Sequence, residues 1–208
     1  MKIISTLIIL VFTVSLSAQS QYEKGMSKAF ELWGANKNKE AGQLFERISK
    51  AENDNWLPSY YTATIEIIGS FGVKEEVVLK AKLNKAQEFL DKAMIVSPDN
   101  PEILITQALL NTAYMAFDGQ KYGMSMSMKN KGLYSKSFKL APNNPRVILS
   151  KAEADIGAAR FFGQSTAPFC NDIKKAIELG KKEKITIKFY PKFMLKRAEK
   201  VLKQCEQK

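Results

Sequence analysis

Few side chains in this 208-residue chain have the type and spacing to do chemistry. They are two cysteines, Cys170 and Cys205, a methionine triplet, Met124, Met126 and Met128, and the carboxylate pairs Glu75-Glu76 and Glu153 with Asp155. The chain contains no histidine. That removes Ser-His-Asp and Cys-His nucleophile pairs, His-ligated zinc and any imidazole proton shuttle. Two cysteines cannot build a four-thiolate zinc or iron–sulfur site within one chain. Without histidine, a reactive Cys170 would depend on neighbouring lysines or a helix N-terminus for its thiolate. Alternating thioethers are soft ligands suited to Cu(I). Methionine is also a common gap-filler, and Met124 and Met128 share a helix face that can simply pack, so packing is expected and no metal site is assigned. Adjacent or one-apart carboxylates on a helix point to different sides and do not converge on a proton or cation. No phosphate-cradling Gly-x-Gly-x-x-Gly or Walker pattern occurs. The expectation is a protein that is no enzyme and carries no catalytic residues, cofactor or metal.

The elements that position these residues begin with an address. Lys2 precedes the apolar stretch Ile3–Val14, and the small and polar run Ser15 to Ser20 follows. A positive start, a short apolar core and a small-residue exit have the layout of a secretory signal peptide. The apolar core is shorter than the ~20 residues that span a bilayer. Cleavage is expected after Ala18, so residues 1–18 are read as signal peptide and 19–208 as one domain. The mature protein is placed in the periplasm, the cell envelope or outside the cell, with no membrane span of its own.

The domain is organised by repetition, which decides the fold class before any other pattern. Three boundary segments align: Asn53-Asp54-Asn55-Trp56, Pro98-Asp99-Asn100-Pro101 and Pro142-Asn143-Asn144-Pro145. Asn55, Asn100 and Asn144 lie 45 and 44 residues apart, and alanine follows eight residues after each, at Ala63, Ala108 and Ala152. Ala29 precedes Ala63 by 34. Pro98 and Pro142 suit the exit from a helix, where no ladder hydrogen bond is lost. Pro101 and Pro145 suit the first helical position, with Asn100 and Asn144 able to cap the exposed amides. One helical hairpin leaves an apolar face open, so neighbouring hairpins must stack to bury it.

On Ala86, Leu90, Ala93 and Pro98, the pattern resembles the tetratricopeptide repeat family, in the form of an exported bacterial protein. Ala41, Phe45 and Ile48 fit the same slots of the first repeat, Tyr134, Ser137 and Pro142 the third, and Ile173 and Ala176 the fourth. The resemblance covers about residues 22–179 and departs from the family in spacing, since only the first repeat keeps the period of 34. It implies an all-α, right-handed solenoid of about four helical hairpins with lengthened turns and a C-terminal capping helix. A HEAT- or armadillo-type solenoid is the alternative, with periods of about 40–47. The family presents the first helix of each repeat on a concave surface, which makes Tyr60, Thr64, Leu109, Thr112, Arg146 and Glu153 candidates for a protein- or peptide-binding groove.

The extra residues fall between the two helices of a repeat, at Gly69–Leu79, Phe117–Met128 and Phe161–Ala167. Insertions in one slot project from one edge of a solenoid. Each pairs aromatics with glycine, and two readings are open. Phe71, Phe117, Tyr122 and Phe162 either pack back to plug the longer turns or form a rim that meets a ligand.

Cys170 opens the second helix of the fourth repeat and Cys205 closes a final helix, Tyr190–Gln207. An antiparallel hairpin about Gly180–Lys188 brings them together, and an oxidising compartment keeps disulfides. A Cys170–Cys205 disulfide is therefore expected over two separate buried thiols.

The net charge of +11 is uneven. Residues Gln19–Gln120 carry 11 Lys+Arg and 14 Asp+Glu, whereas Lys121–Lys208 carry 20 and 7. The leading expectation is a non-catalytic, exported module that binds a protein or peptide. The alternative is binding of an anionic envelope component through the basic C-terminal hairpin. The predicted compartment argues against nucleic acid as a partner.

Overall fold

The structure is a computed structural model and describes residues 21–207. The expected signal peptide and its cleavage site lie outside them. The described residues form helices only: α1 (residues 21–34), α2 (Asn38–Ala51), α3 (Trp56–Ile68), α4 (Glu76–Val96), α5 (Pro101–Phe117), α6 (Gly119–Leu140), α7 (Pro145–Phe161), α8 (Ala167–Lys182) and α9 (Leu195–Glu206).

The three aligned boundaries are the starts of α3, α5 and α7. Asn55 accepts a hydrogen bond from the Leu57 amide, Asn100 from Glu102, and Asn144 from Arg146 and Val147. Pro101 and Pro145 occupy the first turns behind them, where a missing N–H costs nothing. Consecutive helices then pair as antiparallel hairpins, α3 with α4, α5 with α6 and α7 with α8, while α3, α5 and α7 also touch one another in a row. That row is the inner layer. A helix apolar on most sides must be covered on most sides, and nine residues of α3 and nine of α5 are buried. The main core runs from Met26 and Ala29 of α1 through Phe45, Tyr61, Leu83 and Leu90 to Ile103 and Leu110. Ile105, Ala108, Tyr134 and Val147 join it to a second cluster, in which Ile148, Ala152, Ile173, Ile177 and Ala198 hold α7, α8 and α9 together.

Three expectations change. The extra residues between α5 and α6 are not a turn, because Asp118 alone separates the helices and residues 119–128 are the first turns of a 22-residue α6. Likewise 76–79 belong to α4, leaving a true loop only at 69–75. Met124 and Met128 do not pack, being 83% and 72% exposed. The buried stripe of α6 is Asn130, Tyr134 and Ser137, and at ~100° per residue both methionines sit about 120–160° round from it. The last helix begins at Leu195, and residues 183–194 are an extended connection that crosses back over the inner layer.

Candidate functional site

Glu102, in the first turn of α5, has no solvent exposure. A lone carboxylate there would be prohibitively costly unless paired and hydrogen-bonded. Its Oε1 accepts from Asn144 Nδ2 at 2.7 Å and from Arg146 Nε at 2.9 Å. The asparagine that caps α7 therefore also ties α7 to α5. Arg146 turns its other nitrogens to Glu183, with Nη1 and Nη2 donating to the two carboxylate oxygens at 2.6 and 2.8 Å. Burial opposes the charge of Arg146, but the Glu183 hydrogen bonds and the charge of Glu102 outweigh it and hold its proton more tightly than usual.

Residues 183–194 complete this site. Tyr190 lies edge-on to Trp56, faces the Arg146 guanidinium at 5.4 Å and directs its hydroxyl at Glu102 Oε1, 3.5 Å away. Burial, with the charge of Glu102, pushes the Tyr190 phenol up to about 12. The Phe189 carbonyl accepts from Tyr61 Oη at 2.7 Å, and its ring stacks on Phe30 and meets Tyr22 edge-on. Lys188 pairs with Glu23 at 2.6 Å. One short segment thus touches α1, α3, α5 and α7. At its far end Phe193 lies against Gly180, where a Cβ would fall 2.1 Å from the ring; only glycine admits that approach.

The expected groove residues do not share one open surface. Tyr60 is buried between Trp56 and Tyr61. Thr64 is half-buried and bonds to the Tyr60 carbonyl. Leu109 packs against the main core. Thr112 lies at the α5–α6 seam, where it receives a hydrogen bond from Asn130. Glu153 is bound by Arg197 at 2.8 Å and docks α9 on α7; burial raises its carboxyl pKa while Arg197 opposes. Arg146 alone sits among the groups that face the crossing segment. Glu102, Phe189 and Tyr190 escaped the sequence reading. The one signal for the crossing segment was the alternation Ile185, Ile187, Phe189, which suits an extended stretch better than a turn about Gly180–Lys188.

The turn-edge residues divide. Phe71 and Phe117 come together on a concavity of about 320 Å³ with Val73, Lys74, Ala113 and Ala116. Tyr122 is elsewhere, against Tyr114, and its hydroxyl donates to Glu76 at 2.7 Å. Lys121 with Lys80 and that hydroxyl pulls the Glu76 carboxyl down to about 2. Phe162 is 70% exposed beside Phe161, which is exposed as well. Cys170 and Cys205 lie at bonding distance, with Cα atoms 5.8 Å apart. No helix among the described residues is long and apolar enough to cross a membrane.

No protein-family model matches the sequence, and no curated protein matches it. Among solved structures, the HusA haemophore from Porphyromonas gingivalis superposes with a TM-score of 0.76 at 21% identity, over 89% of this chain and 92% of that one. The chain has the all-helical fold of that haemophore over nearly its whole length.

Proposed function

We propose that this is an exported, non-catalytic protein that captures a flat apolar ligand on its turn edge, with a haem-type porphyrin as the first ligand to test. The observation that carries the reading is the concavity between Phe71 and Phe117. Two aromatic side chains, a valine and two alanines line it together with Ser70 and Gly72, and Lys74 supplies one cation. Apolar side chains set beside a few polar groups are the usual makeup of a small-molecule site. The inner layer, where a peptide groove was expected, is covered by residues 183–194, so the turn edge offers the open apolar surface. The fold shared with a haemophore supports the choice of ligand class. With no histidine in the chain and neither methionine nor tyrosine in the lining, apolar contact with the ring would carry the affinity.

Titration with hemin and with metal-free protoporphyrin IX, followed by absorbance and by tryptophan quenching, tests this. Both should bind. Phe71→Ala/Phe117→Ala should weaken each by at least about tenfold, given ~1.5–3 kcal/mol for each buried aromatic ring. Absence of porphyrin binding, or affinity indifferent to the double substitution, eliminates the reading.

A second reading rests on the last hairpin. Lys181 and Lys182 end α8, Lys196 lies in the first turn of α9, Lys184 and Lys192 lie in the connection between them, and none of the five forms an ion pair among the described residues. This end attracts an anionic envelope surface. Phosphatidylglycerol vesicles should sediment with the protein at low salt and release it at about 0.5 M, where the screening length falls to a few ångströms. Equal binding to neutral phosphatidylcholine vesicles would remove the electrostatic account.

A further inference from the structure

Residues 183–194 are the middle of a covalently closed loop. The Cys170–Cys205 pair spans 35 positions and clips the end of α9 to the start of α8, and the Glu153–Arg197 contact holds α9 on α7 independently. The segment between can therefore leave the inner layer as a hinged loop while both flanking helices stay docked.

Three features mark its seat as one made for an exchangeable occupant. First, Phe189 has φ of +62°, a left-handed conformation that costs a residue other than glycine about 1–2 kcal/mol. Second, a wholly buried polar atom beneath it, Glu102 Oε2, has no partner among the described residues, although buried polar groups are normally satisfied. Third, its outward side has no cover, with Lys184, Ile185, Thr186 and Ile187 all exposed.

From these we infer that the face of α1, α3, α5 and α7 is an interaction surface plugged by the chain's own residues 183–194, and that an extended protein segment of the form basic–aromatic–aromatic displaces the plug. The resting contacts define the chemistry of that partner. Glu23 takes a cation, as it takes Lys188. Tyr22 and Phe30 take an aromatic ring, and Tyr61 donates to a backbone carbonyl, as they do with Phe189. Trp56, Arg146 and Glu102 take a phenol or other ring with a donor, as they take Tyr190. A better-matched segment adds a donor to Glu102 Oε2, which the plug leaves unanswered. Apparent affinity for such a segment is reduced by the fraction of molecules in which the plug is lifted, so weakening the plug strengthens binding in trans.

The probe is a synthetic peptide with the sequence of residues 184–192, Lys-Ile-Thr-Ile-Lys-Phe-Tyr-Pro-Lys, titrated by fluorescence anisotropy against the oxidised mature protein and its Phe189→Ala/Tyr190→Ala variant. The variant should bind the peptide at least about tenfold more tightly than the unsubstituted protein. Adding Glu23→Lys should reverse the gain, and a peptide with alanine in both aromatic positions should not bind. A variant with native helical circular dichroism that fails to bind overturns the proposal. Hydrogen exchange on the unsubstituted protein decides the matter if that variant does not fold. Amides 184–190 should open far faster than those of α8 and α9 and slow when excess peptide is added; exchange of 184–190 only with global unfolding overturns the proposal as well.

Discussion

Arg146→Met lowers the free energy of unfolding by about 3–5 kcal/mol, the cost of leaving a buried carboxylate without its counter-charge. Glu102 is wholly buried and retains only Asn144 and the distant Tyr190 hydroxyl once the guanidinium is gone. Glu183 loses both of its hydrogen bonds in the same step, releasing one end of the crossing segment. Thermal melting should fall by roughly 2–4 °C for each kcal/mol lost in a domain of this size. The partnered substitution is the sharper measurement. Glu102→Met/Arg146→Met removes both charges and fills the space with apolar atoms, an exchange that is often neutral or stabilising. Urea titrations of the wild type, both single variants and the double variant form a closed cycle. The double variant should regain most of what Arg146→Met loses; strictly additive losses would show that the pair does not act as a unit.

Cys170→Ala/Cys205→Ala lowers stability by about 3–4 kcal/mol, because the bond removes the freedom of a 35-residue loop from the unfolded chain. Alanine suits both sites, since both cysteines are buried in the cluster that docks α9. A reducing agent should bring the unsubstituted protein down to the stability of the variant and leave the variant unchanged. Alkylation of the oxidised protein under denaturing, non-reducing conditions should label no thiol. Two labelled thiols, or a variant as stable as the parent, would place the stability of the last hairpin in its packing alone.

The sites differ in how plainly the residues announce them. The starts of α5 and α7 are local events. An asparagine side chain, two or three amides and a proline decide them within four residues, so Asn100-Pro101 and Asn144-Pro145 could be read directly. The cysteine pair was nearly as plain, because two antiparallel helices joined by a connection place the start of one beside the end of the other. Gly119, Phe117 and Gly123 misled, since glycine beside aromatics suggests a turn. On α6 these glycines tolerate a helix because that helix is long and the cost of glycine, about 1 kcal/mol each, is spread over 22 residues. Met124 and Met128 misled for a related reason. Shared spacing puts two residues on one face, but only the neighbouring helix determines whether that face is the covered one.

Glu102 and the crossing segment lay beyond any local pattern. Glu102 had the appearance of an ordinary acidic residue in a first helical turn, favourable to the helix dipole at the surface. Its burial depends on Asn144 and Arg146, more than 40 positions away, and on Tyr190, 88 positions away. Lys188 and Glu23 are separated by 165. The amino-acid sequence by itself determined most of the helices, the caps of α5 and α7, the pairing into hairpins and the meeting of the two cysteines, because each follows from interactions within one or two adjacent elements. Only the tertiary structure decided which face of the hairpins is open, which carboxylate is buried and what covers the inner layer. Those outcomes come from the stacking of hairpins and the return of one late segment over all of them. The energy of such contacts belongs to pairs of residues that no short-range period relates.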